Sequence, residues 1–341
     1  MALPGSGDLA PPIAVIGCGA IAAALHLPAL ARHPPVMRRL VLVDRDERRL
    51  AELADRYGIA TTARDYHEVL SSVRGAIVAL PYDLHFAVAR DCLGHGVHVL
   101  CEKPVAETGA QLRLLAAEAA AAGVTISANN TRRLYPSFQA VAALLQSGAI
   151  GRPRRIVASW GDRFDWNPAS GTYFGAGRRG VLTDWGAHVL DVVCWWLRGK
   201  PRLLAYRDDS FGGSEAVAEV ALELAGCQVT VALNWLTRYE NLLRVVGDDG
   251  SIEVGVHEWR SFTRVSRSGK RTRIAASTRV RTPGDFGAVL IENFLDIIRD
   301  GHTPLVPATA VEGSIDLIEE CYTRRERFPM PWHDAFHRVV Q

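Results

Sequence analysis

The chain has 341 residues, 48% hydrophobic and 22% charged, with a formal net charge of +2. Scattered basic residues in so balanced a chain exclude the cationic footprint of a nucleic-acid or anionic-membrane binder, and no stretch reaches the roughly 18 apolar residues that span a bilayer. A chain this long exceeds one ordinary core, so two domains are expected.

The amino-terminal stretch "MALPGSGDLAPP" has no basic region followed by an apolar run, and a cytoplasmic protein is expected from it. Six cysteines, Cys18, Cys92, Cys101, Cys194, Cys227 and Cys321, form no C-x-x-C pair and read as buried thiols. Only three of the 39 basic residues are lysines, Lys103, Lys200 and Lys270. A desolvated amine changes protonation near neutral pH and a guanidinium does not, which makes each of them a candidate for chemistry.

Through the first 130 residues, short aliphatic runs alternate with amphipathic helical patterns: "IAVIGC" (13–18), "RLVLVD" (39–44), "GAIVAL" (75–80), "HVLCEK" (98–103) and "TISANN" (125–130). This is the rhythm of a doubly wound parallel sheet. A linking helix over "PSFQAVAALLQSG" (136–148) leads to a change of pattern at "GRPRRIVASW" (151–160). There, strands follow one another with "AG" and "DDG" hairpin signals, as expected of a mostly antiparallel sheet with helices on one side. Two last helices, near 284–300 and 309–326, are expected to pack back on the body. The fold class is α/β, with an N-terminal dinucleotide-binding domain over 1–130 and a C-terminal α+β substrate-binding domain over 131–341 with a large, mostly antiparallel sheet.

Gly17 and Gly19 follow the first strand and precede a helix, with Ala22 at the third fingerprint position. Small residues there let the backbone turn tightly and approach a pyrophosphate at a helix N-terminus. Asp44 ends the second strand, where a carboxylate accepts hydrogen bonds from ribose hydroxyls and repels a 2′-phosphate, although Arg45 beside it would offset that repulsion. NAD is therefore expected, with NADP as the alternative. The alternative role for Asp44 is to cap the helix that begins near Asp46. Pro81 ends the next strand of the cleft, His85 starts the helix after it, and Glu102 and Lys103 stand at the end of "HVLCEK", where parallel strands present side chains to a ligand.

"TDWGAHVLDVVCWWL" (183–197) reads as a helix apolar nearly all round, interrupted by Asp184, His188 and Asp191 on one stripe. A neutral His188 would accept the proton of an alcohol during hydride transfer, and protonated Lys103 would stabilise charge on the same oxygen. Asp184 would orient the imidazole or hold a neighbouring hydroxyl, and Asp191 would anchor the helix to backbone or arginine partners. Gly186, costly in a helix, suggests close approach of substrate or nicotinamide. The loop 161–180 offers Asp162, Asp165, Trp166, Asn167 and Tyr173 to a polyhydroxylated ring. Its acids point to an amino group, whereas Arg178 and Arg179 point to phosphate. His333 and His337, in a tail without a third ligand, are not assigned a metal, and no metal site is expected.

"GCGAIAAALH", "EKP" and "DWGAHVLD", in this order and spacing, resemble the Gfo/Idh/MocA oxidoreductases from about residue 12 to beyond residue 325. That resemblance implies a Rossmann fold and hydride transfer between NAD(P) and a ring carbinol or ketone of a sugar, inositol, aminocyclitol or nucleotide-sugar. It matches Lys103, Asp184 and His188 to catalytic positions. It also likens "NNTRRLYP" to the segment joining the two domains, and implies a homodimer or homotetramer formed through the C-terminal sheet. Leu80, Ala22 and the pair Arg178 and Arg179 depart from the family pattern. The cofactor set is Gly17, Gly19, Ala20, Ile21, Asp44, Arg45, Leu80, Pro81, His85, Glu102 and Lys103. The substrate set is Asn130, Arg132, Asp165, Trp166, Tyr173 and Arg178. An NAD-dependent glycoside hydrolase of the same fold and a non-catalytic sugar or cofactor sensor are the alternative functions. Nucleic acid and membrane are not expected as partners.

Overall fold

The structure is a computed structural model that describes residues 10–165, 177–210, 213–277, 280–282 and 284–329. Trp166, Asn167, Tyr173, His333 and His337 lie outside the described residues.

Four-residue aliphatic runs buried on both faces form the centre of the first sheet, as a parallel sheet covered by helices requires. Its strands are β1 (Ile13–Ile16), β2 (Leu40–Val43), β3 (Thr61–Ala63), β4 (Gly75–Val78), β5 (His98–Cys101) and β6 (Ile126–Ala128). They pair in parallel in the order β3-β2-β1-β4-β5-β6. Strand order reverses between β1 and β4, and the carboxyl ends there open a crevice. A π turn, Ala22–His26, leads into α1 (Leu27–Leu30), followed by α2 (Pro34–Met37), α3 (Glu47–Tyr57), α4 (His85–Gly94) and α5 (Gly109–Ala121). Asp46 caps α3 by accepting from the backbone N–H groups of Arg48 and Arg49, so Asp44 is not the cap.

After α6 (Pro136–Gln146) and β7 (Pro153–Gly161), a second π turn, Leu182–Gly186, runs into α7 (Ala187–Leu197). The second sheet adds β8 (Arg202–Asp208), β9 (Val217–Leu224), β10 (Cys227–Asn234), β11 (Leu242–Gly247), β12 (Gly250–Gly255), β13 (Ser261–Ser266), β14 (Arg271–Ala275) and β15 (Glu326–Arg327). The order is β14-β13-β12-β11-β7-β10-β9-β8-β15, antiparallel except for β7 with β10 and β8 with β15. Ala225 and Gly226 both have positive φ in the β9–β10 hairpin, the geometry that matches the twist of the flanking strands. Alternate residues of β9, β10 and β11 face α6 and α7, where Phe138, Val192, Val193 and Trp196 meet Val220, Val231 and Val245 in one core.

The chain then returns. On α8 (Gly284–Asp300), Ala288, Ile291, Phe294 and Leu295 pack against β1, β2 and α1. Leu290, Val306, Ala308, Val311 and Ile315 cover the opposite side with α4 and α5. On α9 (Glu312–Thr323), Ile315 joins the first domain while Leu317, Ile318 and Cys321 join the second. The last helices thus complete the cover of the first sheet on both sides. All six cysteines are free and all but Cys194 are buried. No described helix is long and apolar enough to cross a membrane.

Candidate active site

At the cofactor end, Gly17 turns the chain with φ +104°, and a Cβ there would lie 2.4 Å from the Ala79 carbonyl oxygen. No side chain fits between those backbones. A Cβ on Gly19 would meet nothing within 4 Å, so its backbone is open to a ligand. The Asp44 carboxylate is held by two backbone donors, Cys18 N at 2.7 Å and Asp46 N at 2.9 Å, which aim it along the end of β2. Arg45 is exposed and does not line the cleft; Arg49, in the first turn of α3 and 3.1 Å from Asp46, does. Arg45 precedes the helix, whereas Arg49 is carried on it.

At the chemical end, Lys103 follows β5 and its peptide bond to Pro104 is cis. Its ammonium is ion-paired with the Asp184 carboxylate and donates to the Asp184 carbonyl at 3.1 Å. Asp184 therefore holds the lysine. It does not hold His188 Nδ1, which is buried without a hydrogen-bond partner among the described residues. Burial, followed by the positive charges of Lys103 and Arg132, pushes His188 well below the ordinary histidine value of 6.5, so the imidazole is neutral. Its helix is fixed at two points. The Glu215 carboxylate accepts from Gly180 N at 3.0 Å and Leu182 N at 3.1 Å, capping the π turn that carries Asp184. Asp191, buried, accepts from Arg133 Nε at 2.9 Å and from its terminal nitrogen at 2.6 Å, the arginine anchor expected from the stripe. Gly186 faces protein, not ligand: a Cβ there would come 2.9 Å from Leu182 and 3.1 Å from Leu233.

Glu102 is buried against His26 Nε2 at 2.9 Å and Asn129 Nδ2 at 2.5 Å. Burial alone would raise its carboxyl, but these partners and the Lys103 charge hold it below the usual value. The two ring nitrogens of His85 lie 2.7 Å from the Pro104 carbonyl and 2.8 Å from the Leu80 carbonyl, tying the loops after β4 and β5 together.

These groups line one cleft of about 570 Å³. Gly17, Gly19, Ala20, Ile21, Asp44, Leu80, Pro81, His85 and Glu102 stand at its cofactor end, with Lys103, Asp184, His188, Arg132 and Asp165 further in. Asn130 is buried outside the lining, one residue beyond the Asn129 that supports Glu102. Arg178 also lies outside it, because its guanidinium pairs at 2.5 Å with Asp83 across the domain junction. Trp166 and Tyr173 fall outside the described residues. Sequence reasoning missed the aromatic floor of the cleft. Trp160 and Trp185 stack at 4.7 Å, His257 meets Trp160 edge-on at 5.0 Å, and Phe164 and Tyr135 complete the wall. Burial and Arg132 lower His257 to about 4. Only the alternation along β7 signalled Trp160; nothing in the sequence signalled His257.

Residues 12–130 match the oxidoreductase family, NAD-binding Rossmann fold, and residues 138–253 the GFO/IDH/MocA C-terminal domain. The chain is 30% identical over 277 residues to a D-apiose dehydrogenase of Paraburkholderia graminis, covering 77% of this chain and 72% of that one. It is 29% identical over 256 residues to an inositol 2-dehydrogenase of Burkholderia ambifaria, covering 70% and 72%. Its fold matches that of a 3-ketoreductase from Actinomadura kijaniata, solved with NADP and TDP-benzene, with a TM-score of 0.78 over 94% of this chain and 99% of that one at 20% identity. With both halves of the chain matched and the nucleotide cleft in place, the protein belongs to the Gfo/Idh/MocA family of NAD(P)-binding oxidoreductases.

Proposed function

We propose that the protein transfers hydride between a nicotinamide cofactor and a ring carbinol or ketone of a small polyhydroxylated substrate. The observation that carries this reading is the pairing, in one cleft, of a lysine ammonium held by Asp184 with a neutral, half-buried imidazole at His188. The open backbone at Gly19 and the aimed carboxylate of Asp44 fit the pyrophosphate and ribose of such a cofactor. When bound, the nicotinamide ring supplies the two-electron acceptor. As the carbinol C–H leaves as hydride, His188 takes the hydroxyl proton and Lys103 donates a hydrogen bond to the same oxygen, which becomes the carbonyl. Asp184 keeps the ammonium directed. Trp185, half-buried and backed by the buried Trp160, offers an apolar face to a sugar or cyclitol ring, and D-apiose and inositol, named for two relatives, head the substrate panel.

The free, unpaired cysteines agree with a reducing, cytoplasmic setting, and the broad second sheet is the face proposed for a homodimer or homotetramer. NADH formation is the test, over a panel of D-apiose, myo-inositol and hexoses. Lys103→Met and His188→Ala should each lower kcat by about 10²- to 10⁴-fold with NAD binding retained. Turnover near that of the unmodified enzyme in both would overturn the mechanism.

A further inference from the structure

Arg132 is a charge that the fold leaves uncompensated. It sits in the turn Thr131–Leu134 at the domain junction, 8% exposed, and lines the cleft beside His188. Its guanidinium lies over the Trp160 ring at 4.9 Å and the Tyr135 ring at 5.1 Å. One terminal nitrogen donates to the Tyr135 hydroxyl at 2.5 Å and the other approaches His257 Nδ1 at 3.3 Å. All of these partners are neutral. Among the described residues no carboxylate stands within ion-pairing distance of it, in contrast to its neighbour Arg133, which is paired with Asp191. The segment 166–176 contains no Asp or Glu to supply one.

A buried guanidinium without an anion is costly, and aromatic faces offset only part of the cost. The second cation of this end, Lys103, is already balanced by Asp184. Asp165, the other carboxylate of this part of the cleft, is exposed and forms no ion pair with Arg132. At Arg132 itself the unmet charge is a positive one in a fork geometry, which a planar carboxylate matches with two parallel hydrogen bonds. A phosphate monoester, mostly dianionic at neutral pH, would bring one negative charge too many. Resting on the hydride-transfer reading above, we propose that the substrate is a ring polyol bearing one carboxylate, of the uronic-acid class, and that Arg132 receives that carboxylate.

The test is equilibrium binding by calorimetry to the NAD-saturated protein, using D-galacturonate, its methyl ester, D-galactose and D-galactose 6-phosphate. The acid should bind about 10- to 100-fold more tightly than the ester and the neutral sugar. Arg132→Met should erase that preference, the acid then binding no more tightly than its ester, and Arg132→Lys should keep part of it. Equal binding of acid and ester by the unmodified protein overturns the proposal without recourse to any variant. Preference for the phosphate, or an Arg132→Met variant that still binds the acid more tightly than the ester, also overturns it. NADH formation is read separately. Turnover of neutral polyols without acid preference would sink this proposal and leave the oxidoreductase reading intact; acid preference with no turnover of any sugar or sugar acid would sink the hydride-transfer reading, and with it the substrate assignment, leaving only the carboxylate contact at Arg132.

Discussion

Removing the Asp191 carboxylate should destabilise the protein far more than losing a surface ion pair. Asp191 is 1% exposed and takes three of the hydrogen bonds of Arg133, whose side chain is 12% exposed. In Asp191→Ala the guanidinium keeps, among the described residues, the Ala310 carbonyl at 2.6 Å and the Trp195 ring. Breaking a buried pair from one side costs about 3–5 kcal/mol, because the remaining charge stays desolvated. At roughly 2–4 °C per kcal/mol for a domain of 150–250 residues, the melting temperature should fall by about 6–20 °C. The control is Glu52→Ala on α3, whose partner Arg56 is, like Glu52, 52% exposed; that loss is about 0–1 kcal/mol. Scanning calorimetry at one pH and salt concentration reads both. The double variant Arg133→Leu with Asp191→Leu removes both charges and should recover most of the loss. A shift in Asp191→Ala no larger than the control's, or a double variant as unstable as the single one, would refute the reasoning.

Gly17→Ala and Gly19→Ala should separate folding from ligand binding. The first forces a Cβ into a carbonyl and lowers the melting temperature, whereas the second has free space, should fold normally and should weaken NAD binding in a titration. Normal NAD affinity in Gly19→Ala would show that the backbone there does not meet the cofactor. Because His188 is held neutral well below 6.5, kcat/KM for oxidation should show no acidic limb above that pH. The unfolded chain takes up this proton first, so the associated stability is full above 6.5 and is lost as pH falls towards the folded-state value. An acidic limb centred at 6.5 or higher, traced to His188, would contradict this. Asp44→Ser should weaken NAD binding about tenfold and improve NADP binding, read from the two dissociation constants. Unchanged discrimination would remove Asp44 from the ribose site.

The parts of the fold that sequence made legible are those in which one chemical pattern has one structural solution. Runs such as "LVLV" are buried on both faces and could only be central parallel strands. Thr61–Ala63 was missed because two of its three residues are exposed and it carries no aliphatic run. Gly17, Asp44, Lys103 and His188 stand at strand ends or on one helix stripe, so local spacing locates them. Arg178 read as a phosphate ligand because its partner, Asp83, lies 95 positions away. Tertiary pairing cannot be seen in spacing. The same applies to His257, which reaches Trp160 and Arg132 from a loop after β12. Gly186 looked like an opening for substrate but is a packing requirement set by Leu233 on β10.

The return of the chain to its own beginning has a consequence for biosynthesis. A ribosome that has delivered the first 130 residues has released a sheet whose coverings Phe294, Val306 and Ile315 do not yet exist. The half made first is thus completed last, after the second sheet has been translated, and until then its aliphatic faces are exposed to chaperones and to other nascent chains. A truncation ending before Gly284 lacks the helix that closes one side of the nucleotide-binding half.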